Sequence, residues 1–406
     1  MMTAEMTAQD LMALESQYGA HNYHPLDVVL ARGEGCWVWD VAGRRYLDCL
    51  AGYSALNQGH CHPRLVRAMI DQAQRLALTS RAFRNEHLGP FCQSLAQLTG
   101  FRKVLPMNTG AEAVETALKA ARKWGYTVKG IPDGAAEILV PEHNFAGRTI
   151  TIVSFSDEPQ YRFGFGPFTP GFKLVPYGDA VALEAAITPN TAAVFAEPIQ
   201  GEGGIIMPPP GWLRDVRSIC TDHRVLLIVD EIQSGLGRTG RMFACEHEGV
   251  RPDGMTLGKA LSGGMYPVSA FVADDELMGV FEPGDHGSTY GGNPIGAAVA
   301  REALAVLVDE GLPANADRMG SRFRAGLAQL PQTHIREIRQ IGLWIGIELL
   351  PEAGGARRYC EALMDEGLLC KETHTHVIRV APPLIITAEE VDWALERLGR
   401  VFEALG

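Results

Sequence analysis

Five apolar residues in succession, Val225 to Val229, run directly into two carboxylates, Asp230 and Glu231, within the stretch HRVLLIVDEIQSGLGRTG. Successive side chains of a strand point to opposite faces, so an unbroken apolar run requires that both faces be covered. Two companion runs, AEILV and AAVFAEP, alternate with helical stretches and glycine-rich turns between about residues 105 and 300. This alternation predicts an α/β domain built on a largely parallel sheet. Ligands of such sheets lie beyond the carboxyl ends of the strands. The polar residues that close each apolar run are therefore the ones of interest.

Asp230 at the end of a buried strand needs a cationic or hydrogen-bonding partner, and a capping or ion-pairing role alone would satisfy it. A second feature lies 29 residues further on (259 − 230), where DGMTLGKALSGGMYP sets Lys259 among small and apolar neighbours. A desolvated lysine has a lowered pKa, which makes it a nucleophile toward an aldehyde and then a general base. Asp, this gap, then Lys in a Gly- and Ser-rich turn is the arrangement of pyridoxal phosphate enzymes. There the amine bonds the cofactor aldehyde and the carboxylate keeps the ring nitrogen protonated.

Such a site also needs a phosphate cradle. In MNTGAEAVETALKAARKWGY, Val114, Ala117, Leu118 and Ala121 recur at helical spacing, with Thr109, Gly110 and Ala111 at the start of the helix. A helix N-terminus offers unpaired amides and the positive end of the dipole. Thr109 and Glu112 equally fit a capping box, which needs no ligand. Ser288 and Thr289 in HGSTYGGNP, ahead of another predicted helix, are further candidates.

The rest of the chain bounds the answer. CWVWDVAGRRYLDC predicts a hairpin around AGR, and after residue 300 the pattern shifts to helices with alternating strands such as IREIRQIGLWIGIEL and HVIRVAPPLII. The expected division is an N-terminal segment, 1–52, packing with the small lobe, a large cofactor-binding domain, 53–299, and a C-terminal small domain, 300–406. A net charge of −12 argues against a nucleic-acid surface. No apolar run approaches the roughly 20 residues of a membrane helix. The eight cysteines are scattered without a C-x-x-C pair, and the N-terminal stretch has neither the apolar core of a leader nor the arginines of a transit peptide. A cytoplasmic location is the expectation. The cluster His60-Cys61-His62 lacks ligand spacing, so no metal is expected. The phenylalanine-rich stretch YRFGFGPFTPGF reads as a packed loop near the site or a dimer contact.

Long ordered stretches carry a resemblance over nearly the whole chain: NYHPLDVVLARGEGCWVWDVAGRRYLDCL, YSALNQGHCHP, LTSRAF, VLPMNTGAEAVETALKAARKWGYTVKGI, AEPIQGEGG, VDEIQSGLGRTGR, LGKALSGGMYPVSA, GDHGSTYGGNP and IRVAPPLII. Together they resemble the class III aminotransferases of pyridoxal phosphate fold type I, and within them the branch that acts on ornithine. The resemblance implies a large α/β domain with a mostly parallel central sheet, a smaller α+β C-terminal domain, and a homodimer with active sites at the subunit interface. It implies that Lys259 holds the cofactor covalently and shuttles the proton, Asp230 pairs with the ring nitrogen and Gln233 with the ring hydroxyl. Phe145 would stack on the ring. Gly110 and Ala111, with Thr109, would hold the phosphate, helped by Ser288 and Thr289 from the second subunit. On the substrate side, Arg148 would clamp the ornithine carboxylate, with Tyr23 and Tyr53 lining that end and Tyr53 restricting which amine reaches the cofactor. Arg379 would bind the carboxylate of glutamate or 2-oxoglutarate, Glu202 would neutralise Arg379 when ornithine is bound, and Glu197 would support the site. The family often has a large aromatic or His after the stacking Phe, whereas this chain has Ala146. Donors such as N-acetylornithine or 4-aminobutyrate, or a catalytically silent binding role, are the alternative readings.

Overall fold

The computed structural model describes residues 6–406. Its first sheet is an antiparallel meander of β1 (Leu30–Glu34), β2 (Trp37–Asp40) and β3 (Arg45–Asp48). The predicted hairpin joins β2 to β3. Asp40 Oδ1 accepts from the amides of Ala42 and Arg44 at 2.9 and 2.8 Å, and Gly43 sits at a φ of +84° that closes the turn.

Seven strands form the central sheet: β4 (Lys103–Met107), β5 (Glu137–Pro141), β6 (Phe172–Val175), β7 (Thr191–Ala196), β8 (Leu226–Asp230), β9 (Gly254–Leu257) and β10 (Ser269–Ala273). Their order is β4-β10-β9-β8-β7-β5-β6. Only β10 runs antiparallel to its neighbours β4 and β9; the pairs β5/β6, β5/β7, β7/β8 and β8/β9 are parallel. The run that opened the sequence argument behaves as its period requires. Leu227 and Val229 enter one hydrophobic cluster, while Leu226 and Ile228 enter the other across the sheet. The helix Gly110–Trp124 covers that second face with Val114, Ala117, Leu118 and Ala121. The helix Trp212–Asp222 covers the first with Trp212, Leu213, Val216 and Cys220. A five-residue apolar strand is therefore stable because neither face meets water.

The C-terminal part holds β11 (Ile335–Ile341), β12 (Trp344–Leu349), β13 (Leu368–Leu369), β14 (Lys371–Thr373) and β15 (Val377–Val380). β11, β12, β15 and β14 make an antiparallel sheet in that order, and β13 adds to the N-terminal sheet in parallel with β3. The strand expected through HVIRVAPPLII stops at Val380. Pro382 and Pro383 lack the N–H that a ladder requires. No described helix is long and apolar enough to cross a membrane.

Arg238 joins these parts. It is fully buried and has no carboxylate in bonding distance among the described residues; it donates to Leu343 O, Pro382 O and Asn57 Oδ1 at 2.8, 2.7 and 2.6 Å. Burial pushes its guanidinium down to about 9, against the opposing pull of Asp48. Gly342, beside Leu343, has a φ of +53°, and a Cβ there would stand 2.5 Å from Thr239 C. Removing the guanidinium leaves three acceptors dry, so Arg238→Ala is expected to cost roughly 3 kcal/mol or more of stability. A denaturant midpoint unchanged from the parent's would refute this.

Candidate active site

Asp230, the last residue of β8, and Lys259, two residues beyond β9, stand on adjacent parallel strands at their carboxyl ends. Asp230 lies directly across from Thr256, the one polar side chain in β9, whose hydroxyl donates to Asp230 Oδ1 at 3.0 Å. The Ile232 amide donates to the same oxygen at 2.9 Å. Oδ2 has no such partner among the described residues, so the carboxylate is anchored by one oxygen and can receive a donor on the other. Burial pushes its pKa up to about 6, with these bonds and Lys259 opposing. Lys259 itself is lowered, chiefly by burial, with Glu202 and Asp230 pulling the other way. Its φ of +45° is unusual for a residue with a side chain and follows the extended Gly258.

Both residues line a cavity of about 200 Å³ together with Gly110, Ala111, Phe145, Glu197 and Gln233. Lys259 and Gly110 also line a second one of about 320 Å³, with Asn108 and Tyr266. The capping box at Thr109 and Glu112 does form: Thr109 Oγ1 accepts from Glu112 N at 3.3 Å and Glu112 Oε2 from Thr109 N at 2.7 Å. The capping and phosphate readings are thus compatible, because the box uses the amides of Thr109 and Glu112 and leaves those of Gly110 and Ala111 at the cavity wall. A Cβ on Gly110 would press on Ile232 Cδ1 at 3.1 Å. Ser288 Oγ accepts from Asn108 Nδ2 at 3.0 Å in the same chain, and Thr289 is exposed.

Around the cavity the charges are paired with care. Glu197 accepts from the amides of Phe145 at 2.9 Å and Gly201 at 3.3 Å; burial, then Asp230, pushes it up to about 8. Arg379, 1% exposed on β15, donates from Nη1 to Glu202 Oε1 at 2.9 Å and from Nη2 to Gly201 O at 3.3 Å. Burial would raise Glu202, but Arg379 outweighs it and the carboxyl is lowered to about 2. Gln233 Nε2 donates to the same Glu202 oxygen at 3.1 Å. Gln233 Oε1 and Arg379 Nε are buried without partners.

Tyr53, in the left-handed region at φ +59°, lies under Arg379 with the guanidinium carbon 5.1 Å from its ring centroid. Burial, then Glu202, pushes its phenol up, and Tyr23, itself exposed, is among the charges acting on it. Arg148 is exposed and sits over Tyr161 and Phe145. A wider cavity of about 660 Å³ borders this side, lined by Phe145, Tyr161, Tyr177, Glu202 and His374 among others. Ala146 belongs to a core cluster and also lines the cavity of about 200 Å³ beside Phe145. His60 bonds Asp48 and His62 bonds Glu310, at 2.7 and 3.0 Å, so the histidines of HCHP go to separate carboxylates. Thr256, Asn108 and Tyr161 were not singled out from the sequence. Thr256 carried a signal there as a lone polar residue in an apolar strand, and Tyr161 opens the phenylalanine-rich stretch read as packing near the site, where it does line the wide cavity.

A family model described as aminotransferase class-III matches residues 18–402. The chain belongs to this family. It is a class III aminotransferase. The aminotransferase is 58% identical over 388 residues to the ornithine aminotransferase of Bordetella pertussis, covering 96% of this chain and 94% of that one. It is 54% identical to that of Bacillus subtilis, covering 98% and 99%. Among solved structures, the ornithine aminotransferase of Toxoplasma gondii superposes with a TM-score of 0.97 at 48% identity, covering 98% and 96%. Acetylornithine aminotransferase from Elizabethkingia anophelis gives 0.90 at 47%, covering 98% and 100%.

Class III aminotransferases use pyridoxal phosphate, and the residues here fit it. The aminotransferase presents a desolvated amine, a carboxylate with one free oxygen, the unpartnered Gln233 Oε1 and two helix-end amides to one cavity. Three buried carboxyls, Asp230, Glu231 and Glu197, are raised to about 6, 7 and 8, all chiefly by burial. The folded state therefore holds their protons more tightly than the unfolded chain. Their contribution to stability is fully present below the unfolded carboxylate range near pH 4 and is lost as pH rises through the folded values. The cofactor-free protein should thus lose stability from about pH 4 to pH 8 through these groups. Comparing unfolding midpoints at pH 5 and pH 8 tests this: Glu197→Gln should flatten the fall, and an identical slope in parent and variant would count against it.

Proposed function

We propose that this aminotransferase moves the δ-amino group of L-ornithine to 2-oxoglutarate, giving glutamate and glutamate-5-semialdehyde, which cyclises to pyrroline-5-carboxylate. One observation carries the reading most directly: two arginines border the site in opposite electrostatic states, Arg379 acting on the buried Lys259 and Arg148 lying over Phe145 of the cavity wall. Arg379 is neutralised by Glu202, and Arg148 forms no ion pair among the described residues. The ornithine aminotransferases of Bordetella pertussis and Bacillus subtilis support the same substrate. Ornithine must present its distal amine with the α-carboxylate held far from the ring, while glutamate must present its α-amine. A single site handles both only if one carboxylate clamp is always ready and the other is conditional.

When bound, pyridoxal phosphate supplies an electron-accepting ring and an aldehyde carbon that takes the amino group in one half-reaction and returns it in the other. Lys259 is the residue that would hold that carbon covalently and, once freed, would carry the proton to and from the substrate carbon; its lowered pKa favours the neutral form both tasks need. Asp230, whose Oδ2 is left without a partner among the described residues, would hold the ring N–H in a charge-assisted bond in a dry site. Gly110 and Ala111, with Thr109, would bind the phosphate, helped by Ser288 and Thr289 from a second copy of the chain. Gln233 Oε1 would accept from the ring hydroxyl, Phe145 would pack on the ring, and Glu197 steadies the strand end. Arg148 receives the ornithine carboxylate, and Tyr23 and Tyr53 restrict that end. Glu202 releases Arg379 when a second carboxylate arrives. The working unit is a cytoplasmic homodimer, with residues 53–299 as the cofactor domain, 300–406 as the small domain and, of the segment 1–52, the described residues 6–52 packed on the small domain.

Protein loaded with pyridoxal phosphate should turn over ornithine and 2-oxoglutarate to a product captured by a pyrroline-5-carboxylate trap. Faster turnover of N-acetylornithine or 4-aminobutyrate would overturn the ornithine assignment. Lys259→Ala should lower turnover by about 10³-fold or more. Glu202→Gln frees Arg379 and should raise kcat/KM for glutamate as donor by about tenfold, with ornithine gaining less. Equal effects on the two donors would show that Glu202 does not gate Arg379.

A further inference from the structure

Arg148 lies over two aromatic faces and has no acid partner among the described residues. Its guanidinium carbon stands 3.8 Å from the centroid of Tyr161 and 5.6 Å from that of Phe145, and it forms no ion pair among the described residues. We infer that Tyr161 is a positioning residue for the donor half-reaction: its ring is the platform that keeps the Arg148 guanidinium turned toward the site, with its N–H fork free for the substrate's α-carboxylate. The inference rests on the ornithine reading and adds to it a residue that sets how well this donor is held.

The contrast between the two arginines supplies the argument. Arg379 also lies over a ring, that of Tyr53 at 5.1 Å, but its Nη1 is already engaged by Glu202 at 2.9 Å. An acid partner fixes a guanidinium and occupies its donors at the same time. A ring face fixes it through the π-system and leaves the donors in the guanidinium plane uncommitted. Arg148 is exposed, and a long side chain without a platform would spread over many rotamers. Holding it in place beforehand lowers the ordering cost when a carboxylate binds.

The platform is itself fixed. Tyr161 lies in the short turn Pro159–Arg162, where the Glu158 side chain caps Gln160 N at 3.3 Å. The adjacent Arg162 Nη1 donates to Ser154 O and Ser156 O at 2.7 and 3.0 Å, which ties the turn to the preceding segment. The Tyr161 ring meets Phe145 edge-on, at 6.2 Å and 77°, and both line the wide cavity of about 660 Å³ that Glu202 also borders. Burial pushes the Tyr161 phenol up, while Arg148 opposes this through its charge and a side-chain hydrogen bond to the phenol, a second tie between the pair.

The test compares Tyr161→Leu, which removes the ring face, with Tyr161→Phe, which keeps it, both loaded with pyridoxal phosphate. In a two-step exchange, kcat/KM for ornithine and kcat/KM for 2-oxoglutarate report the separate half-reactions. Tyr161→Leu should lower the ornithine ratio roughly tenfold and leave the 2-oxoglutarate ratio within about twofold, whereas Tyr161→Phe should stay within about threefold of the parent on both. A Leu variant with an unchanged ornithine ratio overturns the inference. So does one that lowers both ratios equally, since a purely structural role would do that. A parent inert toward ornithine but reactive with glutamate overturns the functional reading, and this inference with it.

Discussion

Removal of water from the carboxyl ends of two neighbouring parallel strands is the constraint on which the rest of this structure depends. Asp230 and Lys259 sit on those ends, and burial is the largest influence on the proton affinity of each, raising the carboxyl and lowering the amine. The sheet produces the burial. Its central strands are apolar on both faces, helices cover both, and the first atoms able to carry charge are those where the strands stop. Reactive groups in such a position cost stability, and the compensation lies in bonds such as those from Thr256 and Ile232 to a single Asp230 oxygen.

The same economy of donors runs through the site. Each group is tied down by part of its bonding capacity and leaves the remainder facing the cavity. Asp230 keeps Oδ2, Gln233 keeps Oε1, and the helix at Gly110 keeps the amides its capping box does not use. Arg379 and Arg148 are the two extremes: one committed to Glu202, the other steadied without any acid. A pair of clamps with different default states lets one amine serve donors of different length, because the carboxylate position decides which carbon reaches the reactive end.

Much of the fold was legible from local pattern. The apolar run 225–229, the alternation of strands and helices, the hairpin around Gly43 and the helix at Gly110 are governed by near neighbours, and the structure holds all of them. Where pattern misled, the reason was also local: HVIRVAPPLII alternates as a strand does, yet Pro382 and Pro383 end the ladder at Val380. In the site, Asp230, Lys259 and the cradle could be read from residue type and spacing. Tyr161 was placed only as part of the phenylalanine-rich stretch near the site; its role could not be read, because its partner Arg148 is 13 residues away (161 − 148) with no motif joining them.

The sequence by itself determined which segments must be buried and which residue types could carry the chemistry, since hydrophobic period, turn residues and chain spacing are properties of short stretches. Only the tertiary structure decided which charges meet. Glu202 and Arg379 are 177 residues apart, and Arg238 reaches carbonyls 105 and 144 residues away. Electrostatic pairing depends on distance through space and on the local exclusion of water, and neither quantity is written in the order of the residues.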